Sequence, residues 1–229
     1  MRFLSDPIGL LYFIPSFLIA ITVHEVAHAY TAWKLGDPTA SAMGRISLNP
    51  MRHIDPIGLI IMVVIGFGWA KPVQINPRNF KNEKLGMAIS ALAGPVSNII
   101  MAFAGLIIYN IIVALSDNLI LINGVLLGSG EVSAVTLSAV RFSLEFVRWN
   151  ILFAVFNMIP IPPLDGSRIV NYFLPPRLSN YYSYVERYGF IVLVMLLWTG
   201  ILSRPLIFMQ DLLLNGMSRV ISLFFNLFV

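Results

Sequence analysis

The sequence predicts an all-α polytopic membrane protein: a helical bundle of about five transmembrane helices, with a small β-like or re-entrant segment after the first. Three observations carry this. Of 229 residues, 58% are hydrophobic and only 11% are charged, where a soluble domain carries about 25% charged residues. Mean hydropathy is +0.82. Several apolar runs reach the roughly 20 residues that cross a hydrocarbon core of about 30 Å. An ordinary soluble protein is thereby excluded, and so is a disordered chain, which is poor in apolar residues.

The first apolar run extends from about Pro7 to Trp33. It is far longer than a signal peptide's apolar core and shows no small-residue cleavage site, so it is expected to be a retained first helix. A polar stretch, Lys34 to Asp55, follows, in which Gly, Pro, Asn and Ser punctuate β-like pieces, notably Ala40 to Asn49. Pro56 to Ala70 is apolar but only 15 residues long and broken by three glycines. That is short for a crossing and suits a re-entrant or interfacial segment. After a basic, Pro-rich piece, a long span is expected from about Leu85 to Leu115. It opens with the small residues of AISALAGPVSN, which let helix backbones approach closely in lipid. Asp117 to Glu131 reads as a mixed loop and Val132 to Pro160 as another long helix. Arg141, Glu145 and Arg148 confine the deeply buried part of that helix to its second half. A Pro-rich loop is expected over Pro160 to Arg177, then two more apolar stretches, roughly Tyr184 to Leu202 and Pro205 to Val229.

Fifteen Lys and Arg against 11 Asp and Glu give a formal charge of +4. In a chain of this hydropathy, basic loops report the cytoplasmic face rather than nucleic-acid binding. Seven Lys or Arg lie from Lys34 to Lys84, while 117–131 has none. Residues 34–84 and 161–187 are therefore expected in or near the cytoplasm, and 117–131 outside. This arrangement requires 56–70 to dip in and return, with His53 and Lys71 on the same side.

The chain has no cysteine and three histidines. A tightly bound metal must then use His, Asp or Glu. Two of the histidines fall in ITVHEVAHAYTAW, where His24 and His28 are four apart and project from nearly one face of a helix. With Glu25 beside them they form H-E-x-x-H, in which two imidazoles share a metal and the Glu serves as general base toward water. Ionisable groups inside a membrane are costly, which favours a functional reading over a purely structural one. A tetrahedral zinc with one open position needs a third protein ligand. Here that is another His or a carboxylate. Asp165, in FNMIPIPPLDGSRIV, is one candidate; an Asp-Gly turn is the other reading of the same residues. Prolines there fix the backbone, and Gly166 is expected to allow an unusual dihedral.

HEVAH on the first helix and NMIPIPPLDG about 130 residues later resemble the site-2 protease family of intramembrane zinc metalloproteases. The second phrase matches N-x-x-P-x-x-x-x-D-G at Asn157, Pro160, Asp165 and Gly166. HIDPIG (His53 to Gly58), GWAKPV (Gly68 to Val73) and AGPVSN (Ala93 to Asn98) look like the small bacterial and archaeal class, which lacks a PDZ domain. The resemblance spans roughly residues 18 to 172. It implies one Zn2+ per chain on His24, His28 and Asp165, and Glu25 as the base that activates water. Asn157 would hold substrate or stabilise the oxyanion, its other reading being an interhelical hydrogen bond. His53 is either a further oxyanion donor or a structural residue. Gly94 and Asn98 are expected in close packing and behind the ligands.

The resemblance further implies a single integral-membrane metalloprotease domain over 1–229, with a catalytic core of about 7–172 and accessory transmembrane helices over about 184–229. The enzyme would be a multi-pass protein of the cell (plasma) membrane with its active site toward the cytoplasmic side. It would perform regulated intramembrane proteolysis on single-span proteins such as membrane-bound anti-sigma factors. An unwound substrate would add to a strand edge supplied by Ala40 to Asn49 or the GWAKPV region. A metal-binding transporter or a non-cleaving pseudoprotease is the competing class; it would spread polar residues along a path, often in repeats.

Overall fold

A computed structural model describes residues 7–65, 68–116, 119–122, 125–128 and 132–228. Helix α1 covers Pro7–Lys34 and α4 covers Glu83–Ala114, each within two residues of the expected apolar runs. Both carry an internal proline, Pro15 and Pro95. Neighbouring helices make such prolines tolerable in membranes by re-satisfying the freed backbone groups. Between α1 and α4 lie α2 (Thr39–Ala42) and α3 (Pro56–Ile65). The C-terminal half holds α5 (Ala134–Asn157), α6 (Asp165–Phe173), α7 (Pro176–Trp198) and α8 (Ser203–Phe228).

Helix directions follow from contacts. His28 meets the Ser90 carbonyl and His24 meets Asn98, so α1 and α4 are antiparallel. Tyr12 bonds Ser138, and Phe17 packs on Phe153, so α1 and α5 run the same way. Two apolar clusters hold the bundle. One joins Ala102 and Leu106 of α4 to Val147, Ile151 and Val155 of α5 and to Met217 and Ile221 of α8. The other stacks Phe13, Phe17 and Ile21 of α1 against Met62 of α3, with Trp149 and Phe153 of α5 closing it.

The segment after α1 folds back on itself. Helix α3 has 10 residues, or about 15 Å of rise, half a hydrocarbon core. Its ends meet: Ile54 pairs with Ala70 in an antiparallel bridge, and the Lys71 N–H donates to the His53 carbonyl at 2.9 Å. The chain therefore returns to where it left. Glycines permit this closeness, because a Cβ on Gly58 would strike the Trp69 carbonyl and one on Gly68 would strike that of Gly58.

Four expectations need correction. Ala40–Asn49 forms no strand; Asp37 accepts from the Thr39 N–H and hydroxyl, and the chain winds into α2 and turns. The expected loop over 160–177 contains α6, nine residues opening with an acid in the first turn, where the helix dipole favours negative charge. Gly166 is not in a left-handed conformation. It is required because a Cβ there would collide with the Met158 carbonyl. Finally, the loop 117–131 includes an antiparallel hairpin, β1 (Leu119–Ile122) with β2 (Val125–Gly128); residues 117–118, 123–124 and 129–131 lie outside the described residues.

Among the described residues, three helices are long and apolar enough to cross a membrane: Ile8–Lys34, Glu83–Ala114 and Ser203–Leu223. Helices α5 and α7 have 24 and 23 residues, but α5 carries Arg141, Glu145 and Arg148, and α7 carries Arg177, Glu186 and Arg187.

Candidate metal centre

His24 and His28 sit one turn apart on α1, both buried. Seven residues separate the end of α5 from the start of α6, whose first residue, Asp165, is brought to the same depth because α5 runs parallel to α1. Asp165 Oδ2 lies 3.2 Å from Nε2 of His24 and 3.2 Å from Nε2 of His28. The two Nε2 atoms are 2.9 Å apart.

The back side of each imidazole settles what those nitrogens are. His28 Nδ1 is 2.7 Å from the Ser90 carbonyl, which can only accept, so Nδ1 carries the proton. His24 Nδ1 is 2.6 Å from Asn98 Oδ1, and the Asn98 amide nitrogen is committed elsewhere, to the Ala20 carbonyl at 3.0 Å. In the neutral rings Nε2 is then a lone pair in both, and their 2.9 Å approach is no hydrogen bond. Two lone pairs and a carboxylate oxygen converge on one point, and Oδ2 is itself buried without a hydrogen-bond partner.

Donors held about 2.0–2.1 Å from a tetrahedral zinc would lie about 3.3 Å apart, near the 2.9–3.2 Å seen here. A His2Asp donor set without thiolate, with each imidazole braced from behind, fits such an ion. Gly94 allows the fit: a Cβ there would fall on His28 Nε2, 2.5 Å from His28 Cε1 and 2.6 Å from His24 Cε1.

These groups open on a cavity of about 630 Å³. Glu25 lines it and accepts from the Val73 N–H on Oε2 at 2.9 Å. Its walls are largely apolar, with Phe17, Ile21, Met62, Trp149 and Phe153 prominent. Asn157 lines the same cavity but donates from Nδ2 to the Phe153 carbonyl of its own helix at 3.0 Å, leaving one amide hydrogen and Oδ1 uncommitted to that bond. His53 does not join the cluster. It is wholly buried, with Nε2 on the Ser47 carbonyl at 2.7 Å, among residues that brace the base of α3. Sequence reasoning missed Val73 and the Ser90 carbonyl, which act through backbone atoms. It also missed Arg168, three residues after Asp165 on α6 and a lining group of the cavity.

The arrangement can hold a divalent cation on three protein ligands, with a carboxylate at hand to take a proton, inside an apolar cleft. Comparison with known proteins points the same way. The model of Peptidase family M50 matches residues 12–198. The chain is 37% identical over 228 residues to "Putative zinc metalloprotease YwhC" of Bacillus subtilis, covering 99% of this chain and 97% of that protein. It is 29% identical over 199 residues to "Putative zinc metalloprotease Rip2" of Mycolicibacterium smegmatis, covering 83% of this chain and 68% of that protein. The Rip2 of Mycobacterium tuberculosis strain H37Rv is 25% identical over 187 residues, or 80% of this chain and 65% of that protein. No solved structure matches the chain with comparable significance.

Proposed function

The chain belongs to Peptidase family M50 and is a zinc metalloprotease, and from that premise we propose that it cleaves peptide bonds within or near the transmembrane segments of other membrane proteins. The observation that carries this reading is the meeting of His24, His28 and Asp165 at the foot of a largely apolar cavity in a membrane protein.

His24, His28 and Asp165 are the proposed ligands of one zinc ion. Zinc, when bound, supplies Lewis-acid polarisation of water and of the scissile carbonyl. Glu25 is the proposed general base. A carboxylate in a largely apolar cleft can take the proton from the attacking water and return it to the leaving amine. The Val73 N–H orients that carboxylate by occupying one oxygen. Asn157 offers an uncharged donor toward the developing oxyanion, from which no competing salt bridge has to be broken.

A transmembrane substrate is helical, with its carbonyls tied into i to i−4 bonds, so it must unwind before attack. Stretch 68–75 supports a docking role: Gly68, Trp69, Ala70, Pro72, Val73 and Ile75 line the cavity, while the stretch as described makes a single β-bridge. An unwound segment can lie along it through main-chain hydrogen bonds. Apolar walls suit the side chains of such a segment. Single-span proteins, membrane-bound anti-sigma factors among them, are the proposed substrates. The basic loops support a cell-membrane location with the site toward the cytoplasm. About five crossings, one protease domain over 1–229, and accessory roles for α7 and α8 complete the proposal.

The test is a cleavage assay on a single-span substrate with the purified chain. Activity should require one zinc per chain, vanish with a chelator and return with zinc. Zinc-free cleavage, or stoichiometric zinc without any cleavage across a panel of single-span segments, overturns it.

A further inference from the structure

The hydrogen bonds behind His24 run across three helices, and their direction is fixed at the far end. Asn150, wholly buried on α5, donates from Nδ2 to the Phe146 carbonyl of its own helix at 2.8 Å. A carbonyl can only accept, so Asn150 must turn Oδ1 the other way, toward Asn98. Asn98, also wholly buried, donates from Nδ2 to that oxygen at 2.9 Å and to the Ala20 carbonyl of α1 at 3.0 Å. With both amide hydrogens used, Asn98 has only Oδ1 to present to His24, 2.6 Å from Nδ1.

We infer that Asn150 is a positioning residue for the metal centre: acting through Asn98, it sets the tautomer and ring orientation of His24. The inference rests on the metal-binding reading above. An Asn amide flipped by half a turn has nearly the same shape, so sterics alone do not orient Asn98. Flipped, it would offer its NH2 to His24, which would then accept on Nδ1 and carry its proton on Nε2, the ligand atom. In a low-dielectric interior the penalty for mismatched partners is what blocks the flip, and Asn150 supplies half of the acceptors that impose it. His28 needs no such relay, because the Ser90 carbonyl is backbone and cannot turn over. His24 is thus the ligand whose competence depends on side chains on two other helices.

The experiment uses the full chain in detergent, with zinc affinity read by chelator competition and imidazole tautomers read by 15N NMR on metal-free protein. Asn150→Leu keeps the number and branching of side-chain heavy atoms and removes both bonds. It should weaken zinc binding about tenfold, the low end for loss of a partner behind a ligand, and should raise a proton on Nε2 of His24 while leaving His28 unchanged. Asn150→Asp, entering this apolar site as a neutral acid, can donate to Phe146 and accept from Asn98, and should stay near the parent affinity. In an Asn98→Leu background, where the relay is already cut, Asn150→Leu should add no further loss. Parent affinity and tautomer in Asn150→Leu, or an equal loss with and without Asn98, overturns the inference. Should Asn150→Leu not fold, a tenfold loss in folded Asn150→Asp overturns it as well. If the parent chain itself takes up no zinc, the metal reading falls, while the tautomer comparison still decides the relay.

Discussion

The Val73 N–H donates to Glu25 Oε2 at 2.9 Å, so the proposed general base is gripped by a segment 48 residues further along the chain. A bond from an amide to a carboxylate is among the stronger hydrogen bonds. It occupies one oxygen and leaves the other for water. It also couples the proposed base to the cavity wall along which a substrate would lie.

Replacing Glu25 by Gln should therefore separate chemistry from structure. The amide oxygen still accepts from Val73, and none of the three converging ligand atoms changes. It cannot take a proton from water. Zinc content is expected to hold while cleavage falls by about two to four orders of magnitude. Zinc stoichiometry beside single-substrate rates checks this, and full activity in Glu25→Gln removes the base from Glu25.

Asp165→Ala and Asn157→Ala should differ in kind. Asp165 Oδ2 is equidistant from both imidazoles, so its loss removes a ligand and should lower zinc content together with activity. Asn157 instead bonds its own helix, at the Phe153 carbonyl. Asn157→Ala should keep zinc and lose turnover, by the roughly hundred- to thousandfold that an oxyanion donor contributes. Metal analysis of both proteins separates the cases; undiminished zinc in Asp165→Ala reassigns the third ligand.

Gly94→Ala adds one methyl group among the ring atoms of His24 and His28. The rings are buried and pinned from behind, so they cannot move aside freely. Overpacking of this sort costs about 1–3 kcal/mol. Here the displaced atoms include a ligand nitrogen, so zinc affinity should fall along with thermal stability. Isothermal titration and a melting curve read the two effects, and unchanged zinc affinity would show that the rings can yield.

The chain lacks cysteine, so single cysteines report topology cleanly. Met51, 75% exposed, precedes α3, and Arg78, also exposed, follows it. Met51→Cys and Arg78→Cys should react with a membrane-impermeant reagent from the same side. Labelling from opposite sides would mean that 56–70 crosses.

Asp37 predicts a pH dependence. Burial alone would raise its carboxyl, but the Thr39 hydroxyl, the Asn79 amide and the N–H groups of Asn76 and Thr39 outweigh burial and hold it below the ordinary value. A carboxyl lowered on folding stabilises the protein above its unfolded value, about 4, and that stability is lost as pH falls through the folded value. Melting temperature should therefore drop on acidification below about pH 4. Asp37→Asn should melt lower at neutral pH, by the roughly 1–3 kcal/mol of a donor left unsatisfied, and respond less to acid. Parallel acid melting curves for parent and variant would contradict this account.

Much of the molecule was legible because its signals are local. Apolar runs bounded α1 and α4 within two residues, and H-E-x-x-H needs only a helix to bring His24 and His28 onto one face. The shortness of 56–70 was enough to call for a return. What escaped was short or long-range. Helix α6, between Pro163 and Pro175, is too brief for periodicity to outweigh the flanking prolines. The hairpin carried a signal that went unread, Asn123-Gly124 between two apolar runs, a strong hairpin dipeptide. Asn150 also left a trace, as an amide in the apolar half of α5, where polar groups are costly and seldom idle. Its partner is 52 residues away, and no spacing within α5 names it.

The closure of 56–70 onto itself has a consequence for parity. Two ligand-bearing segments can share an ion only if the chain between them changes sides an even number of times. Helices α4 and α5 supply two reversals of direction, and the excursion through α3 supplies none, so α1 and α5 point the same way and the C-terminal turn of α5 lies beside the His24 turn of α1. Lengthening a loop leaves that tally untouched. Adding one crossing anywhere between Lys34 and Asp165 makes it odd and parts the histidines from the aspartate by the full width of the bilayer, however well each helix still packs.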